Sequence, residues 1–253
     1  MISRGPGARG GRTRRTMRCP REVSHEVKAD PINPWEPEMR MCTGSHLSGY
    51  SFHDTIAVTH LRRVMAITLT LSHKITDDEL LELAERNPGY QFERNAKGEL
   101  VVTPTGMESG RASGEVLVQL GLWNRKARGG VVLDSSTGFR LPDGALLSPD
   151  ASWVRRDRWD ALTPEQRKRF GPLCPDVAFE IRSESNTLVD LREKTRAYLT
   201  NGAQIAVLID PSERTVEVYR PGREPEIHRS PEAVALDPEL AGFMLDLEPI
   251  FST

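Results

Sequence analysis

Apolar and polar positions along the chain fall into two regimes that meet near residue 65. After that point apolar residues recur at helix and strand periods, and before it they do not. Thr76-Asp77-Asp78-Glu79 has the form of a capping box and leads into Leu80-Leu81-Glu82-Leu83-Ala84, which predicts a helix that Asn87-Pro88-Gly89 ends. Residues 90–93 and 99–103 read as a hairpin around Asn95-Ala96-Lys97-Gly98. A long helix is expected over 110–128, stopped by Gly129-Gly130. Short strands follow at 131–133, 137–141 and 145–147, the last two turning at Pro142-Asp143-Gly144.

Two further apolar stretches carry acids. Asp150 opens Ala151-Ser152-Trp153-Val154, and Glu180 closes Asp176-Val177-Ala178-Phe179. Between them, residues 155–175 form a polar excursion with a small helix capped by Thr163-Pro164-Glu165-Gln166. A helix over 188–201 with Gly202 behind it precedes Ile205-Ala206-Val207-Leu208-Ile209, an unbroken apolar run expected to be a central strand buried on both faces. Residues 215–219 and 225–228 read as edge strands, and 243–251 as a tail packed back on the core. Strands first, then strand–helix–strand, indicate an α/β (α+β) domain over 66–253 with a mixed β-sheet flanked by helices.

Charge sharpens the division. Residues 1–65 hold eleven Lys and Arg against six Asp and Glu, and the remainder holds 23 against 30. The opening Ala8-Arg9-Gly10-Gly11-Arg12-Thr13-Arg14-Arg15 region has almost no apolar content and no period, so residues 1–65 are expected to be a disordered basic leader, with Met65 a candidate alternative start. The leader lacks the apolar core of a secretory signal, and no run of eighteen apolar residues predicts a membrane span. Cys19, Cys42 and Cys174 have no metal-ligand spacing, which suits a reducing, cytoplasmic setting. Beyond the leader the only histidines are His73 and His228, neither beside a plausible nucleophile, which argues against a Ser-His-Asp triad or a His-rich zinc site. Carboxylate and lysine chemistry remains.

A carboxylate on or beside a core strand costs several kcal/mol unless a cation offsets it. Asp150 and Glu180 form such a pair, of the kind a hard divalent cation and a phosphodiester require. Lys194 follows Leu191 by three residues and precedes Tyr198 by four, so it borders the buried face of its helix and can reach back toward the Glu180 strand or lie along the core edge. Arg182 alternates with Glu180 and can pair with it, contact a phosphate, or form a structural ion pair. Glu115 has Val118 and Leu122 at i+3 and i+7 and sits near an apolar helix face. Asp176 and Asp210 read as strand-start and turn residues, and Asp134-Ser135-Ser136-Thr137-Gly138 as a polar loop. Arg155, Arg156, Arg158, Arg167, Lys168 and Arg169 form a basic cluster suited either to backbone phosphates or to solvent.

Several of these strings recur together. The stretch from Asp134 to Ala145, Ser148-Pro149-Asp150-Ala151-Ser152-Trp153-Val154, Pro175-Asp176-Val177-Ala178-Phe179-Glu180-Ile181-Arg182-Ser183, then Lys194 and Tyr198, closely resembles the Uma-two family of endonucleases in the PD-(D/E)XK, or restriction-endonuclease-like, superfamily. The resemblance spans about 75–250. It implies a restriction-endonuclease-like core and a metal-dependent endonuclease that hydrolyses phosphodiester bonds in DNA using Mg²⁺ or Mn²⁺. By position, Asp150 is the acid of the Pro-Asp element, Glu180 the acid of the (D/E)XK element, and Glu115 the helix acid that completes the metal site. The lysine expected two residues after Glu180 is replaced by Arg182, which stays charged and cannot act as a base. The resemblance moves that amine to Lys194. Nucleases of this fold are commonly homodimers. The alternative is a nucleic-acid-binding or assembly module that keeps the fold without turnover.

Overall fold

A computed structural model describes residues 65–252. The chain opens with β1 (Ile67–Leu69) and α1 (Asp77–Arg86), where Thr76 Oγ1 accepts from Glu79 N and the Glu79 carboxylate accepts from Thr76 N at 2.7 Å, closing the expected capping box. A hairpin of β2 (Tyr90–Arg94) and β3 (Leu100–Pro104) follows, then α2 (Met107–Ala127), β4 (Gly130–Asp134), β5 (Phe139–Arg140), β6 (Leu146–Leu147) and β7 (Ala151–Arg155). The excursion contains α3 (Arg156–Asp160) and α4 (Pro164–Arg167), the latter held by a Thr163–Gln166 capping box with Pro164 at its start. Then come β8 (Val177–Ile181), α5 (Leu188–Thr200), β9 (Ile205–Asp210), β10 (Thr215–Tyr219), β11 (Glu226–Arg229), β12 (Ala233–Ala235), β13 (Met244–Asp246) and α6 (Glu248–Phe251).

Six strands in the order β11-β10-β9-β8-β7-β4 make the main sheet. All its pairs are antiparallel except β8 and β9, which run parallel because α5 carries the chain from one end of the sheet back to the other. Alternation sorts the side chains of the two central strands. Val177, Phe179, Ile181, Ile205, Val207 and Ile209 enter the cluster capped by Ala112, Val116 and Leu120 of α2 and by Phe243, Leu245 and Ile250 of the tail. Ala178, Ala206 and Leu208 point the other way, toward Leu191 and Tyr198 of α5. One helix therefore covers each face. A second, antiparallel sheet, β1-β3-β2-β6-β5, packs Phe92, Leu100 and Leu146 with Ile75 and with Leu80 of α1.

The fold is the mixed α+β arrangement that the periodicity implies, and β9 is buried at every position. Three strands escape sequence reading: β1, β12 and β13 each have three residues, too few to display a period. The strand at 215–219 is not an edge, because β11 pairs along it. The basic leader expected over 1–65 falls, apart from Met65, outside the described residues. Among the described residues no helix is long and apolar enough to cross a membrane.

Gly129-Gly130 serves a close approach rather than a cap: the residue that ends α2 in the left-handed conformation is Arg128, at φ 53°. A Cβ on Gly130 would lie 2.2 Å from Val154 O and 2.5 Å from the Trp153 ring. Gly130→Ala is therefore expected to destabilise the protein by roughly 3 kcal/mol, the upper range of overpacking costs, measured as a lowered urea midpoint.

Candidate active site

Strand alternation puts the two acids on one face. Glu180 lies in β8 with Ala178, facing α5, and Asp150 just before β7 shares the parity of Val154, which faces the same way. On α5, Leu191, Lys194 and Tyr198 stand three and four residues apart and so project along one side, toward the sheet. The parallel β8–α5–β9 unit thus brings an amine and a phenol over a strand carboxylate.

Lys194 Nζ lies 2.9 Å from Glu180 Oε1, 3.0 Å from Glu180 Oε2, 2.9 Å from Glu93 Oε1 and 3.0 Å from the carbonyl of Ser148. Tyr198, fully buried, donates its hydroxyl to Glu180 Oε1 at 2.9 Å. Asp150 Oδ2 accepts from the backbone N–H of Ile181 at 2.7 Å, which ties the start of β7 to the end of β8. Glu93, on β2, also accepts from Ser148 N at 2.6 Å. Glu93, Asp150, Glu180 and Lys194 all line a cavity of about 430 Å³ bordered by both sheets and α5.

The charges do not balance. Three carboxylates face one ammonium, and Glu180 and Glu93 are 2% and 5% exposed. Burial raises the carboxyl of Glu180, which Lys194 opposes and Asp150 and Glu93 reinforce. Burial likewise pushes Asp150 up to about 6, against the pull of Lys194 and the Ile181 N–H. Burial alone would lower Lys194, but Glu180, Glu93 and Asp150 together raise it, so the amine stays protonated. The deficit is one of positive charge, and the uncompensated donors are carboxylate oxygens. Such a set has the chemistry that a hard divalent cation needs, and Asp150 and Glu180 are the residues that could hold one. Among the described residues no three Asp, Glu, His or Cys side chains already form a closed metal-binding group. Lys194 occupies the space between two of the three carboxylates.

Asp150, Glu180 and Lys194, read from the sequence as one site, are brought together. Glu115 is not joined to them. It lies half-buried on α2, which covers the opposite face of the main sheet, and no hydrogen bond or ion pair among the described residues links it to the cluster. The third carboxylate of the site is Glu93, for which the sequence carries only the weak signal of an acid alternating with Gln91 in a hairpin strand. Arg182 donates to Asp210 Oδ2 at 2.6 Å rather than to Glu180, and it does not line the cavity. The physical reason is register: β8 ends at Ile181, which pairs with Ile209, so the next residue meets Asp210 at the end of β9. The basic cluster begins at the far end of β7 from Asp150, about 16 Å along the strand at 3.3 Å per residue. Much of it is committed elsewhere, Arg155 to Asp157, Arg158 to Asp176 and Arg169 to Asp78. The Asp134 loop closes on itself through Ser136 and offers Gln91 the Ser135 carbonyl.

Comparison with known proteins places this mixed sheet, with one helix over each face, in a family. The family model Uma2, described as "Putative restriction endonuclease", matches residues 77–248, and the chain belongs to that family. A solved structure described as a putative nuclease belonging to DUF820, from Anabaena variabilis, is similar with a TM-score of 0.57 and 24% identity, covering 70% of this chain and 97% of that one. No curated protein matches the chain.

The raised carboxyls set a pH dependence. With Asp150 at about 6, the folded state binds a proton that the unfolded state, with the ordinary value of 3.8, has released. Stability of the metal-free protein is therefore greatest below pH 4 as far as this group is concerned, and falls as pH rises through 6. Asp150→Asn removes the penalty: at pH 8 in chelator it is expected to be more stable than wild type by on the order of 2 kcal/mol, a gain that vanishes toward pH 4, measured by urea denaturation across pH.

Proposed function

We propose that the protein is an endonuclease dependent on Mg²⁺ or Mn²⁺ that hydrolyses phosphodiester bonds in DNA, in the cytoplasm. The observation that carries this reading is the convergence of Asp150, Glu180 and Lys194 in one cavity, with more carboxylate charge than the protein neutralises. The family description supports the reaction class and is the support for DNA as substrate. The buried free thiol of Cys174 accords with a reducing compartment.

A divalent cation, when bound, lowers the pKa of water and offsets the charge that builds on the phosphate. Asp150 and Glu180 would hold it. Asp150 is oriented by the Ile181 N–H at one oxygen, which leaves the other for a ligand. Glu180 is oriented by the Tyr198 hydroxyl, whose own proton is retained because burial and the neighbouring carboxylates raise it well above the ordinary value. Lys194, kept as ammonium, supplies a fixed positive charge at the scissile phosphate and a donor for the attacking water. It does not act as the base. Arg182, engaged with Asp210, supports the ends of β8 and β9.

Purified protein is expected to cleave DNA with Mg²⁺ or Mn²⁺ and to stop on addition of a chelator. Asp150→Ala, Glu180→Ala and Lys194→Met should each lower the cleavage rate roughly 100- to 1000-fold, the scale for losing one electrostatic group in a site. An Asp150→Ala variant as active as wild type would overturn the reading. Nucleic-acid binding without cleavage under any divalent ion would support the module that keeps the fold without turnover.

A further inference from the structure

Glu93 is buried, charged and absent from the reaction as described, yet it contacts the one amine that the reaction needs. We infer that Glu93 is a positioning residue: together with the backbone of Ser148 it holds the Lys194 ammonium in the site after Glu180 turns its oxygens to a metal ion. The inference rests on the nuclease reading given above.

The hydrogen bonds make the case. An ammonium has three protons, and Lys194 directs them at Glu180, Glu93 and the Ser148 carbonyl. Were Asp150 and Glu180 to hold a cation, Lys194 would share Glu180 with it and keep Glu93 and Ser148 to itself. The other two anchors are untouched, and they belong to one another: Glu93 Oε1 accepts both from Lys194 Nζ and from Ser148 N at 2.6 Å, while Ser148 O accepts from the same Nζ. Gln91 Nε2 adds a fourth bond, to Ser148 O at 2.9 Å. The ring spans β2, the segment leading into β7, and α5. Ser148 is two residues before Asp150, so the ring also fixes the backbone that presents Asp150.

Charge points the same way. A flexible four-carbon amine in a cavity has several staggered conformations for each of its bonds, and neutral acceptors alone hold it weakly. An anion 2.9 Å away at low exposure gives a charge-assisted bond, about twice the strength of a neutral one. Glu93 is the carboxylate left to do this once Asp150 and Glu180 are occupied by metal.

The test uses the full chain and three readouts. Glu93→Ala is expected to lower kcat on the order of 100-fold, the scale of a misplaced reacting group, with KM for DNA and calorimetric affinity for Mn²⁺ nearly unchanged. Lys194 in that variant should be acetylated by acetic anhydride several-fold faster than in wild type, read by mass spectrometry. Glu93→Gln keeps an acceptor for the Ser148 N–H and so guards against a folding defect. It should retain the wild-type melting temperature, with kcat between wild type and Glu93→Ala. Unchanged kcat and unchanged Lys194 labelling in both variants would overturn the inference. So would a fall in Mn²⁺ affinity matching the fall in kcat, since Glu93 would then be a metal ligand. A wild type that cleaves nothing sinks the nuclease reading, while the labelling comparison still decides whether Glu93 holds the amine.

Discussion

An ammonium wedged among carboxylates that outnumber it is the interaction on which this structure turns. Lys194 reaches Glu180 and Glu93 at once, each at 2.9 Å, from a helix packed over the sheet that carries one of them and beside the sheet that carries the other. One pair would be an ordinary buried salt bridge, of little net worth after desolvation. The surplus changes its meaning. Asp150 and Glu180 carry raised carboxyls because they are buried, and the one ammonium beside them offsets only part of that cost. Raised carboxyls of this kind gather at functional sites.

The rest of the architecture serves this meeting. The parallel pair of the main sheet, β8 and β9, exists because α5 must pass over the sheet, and that passage delivers Lys194 and Tyr198 above Glu180. The antiparallel step from β7 to β8 brings Asp150 to the Ile181 N–H. The smaller sheet supplies Glu93 and the wall of the cavity. The stretch matched by the Uma2 family, residues 77–248, contains all of these elements from β2 to β9.

Much of this was legible in the chain, and the parts that were not share a cause. The strand acids stood out because a carboxylate interrupts an apolar run, and Lys194 because helix spacing put it beside Leu191 and Tyr198. Those are local signals. Glu93 gave only a weak one, since in Tyr-Gln-Phe-Glu-Arg it alternates with Gln91 and reads as a solvent face; what buries it is Ser148 and Lys194, 55 and 101 residues away. Glu115 was legible as a residue near a core, but which face of the sheet its helix covers is a matter of topology that spacing does not encode. Arg182 obeys alternation only while the strand lasts, and β8 stops one residue before it.

That short distance past the strand has a consequence for how the protein behaves as a machine. An arginine pinned by Asp210 keeps the sheet's end in order, whereas the amine that meets Glu180 is borrowed from a helix. The pairing of charges is thereby made conditional on docking. If α5 lifts or frays under heat or mild denaturant, the carboxylates stay on their strands but lose their cationic companion, so the cluster comes apart ahead of the sheet itself. Function in such a design reports on the fit between two layers, rather than on the persistence of either one.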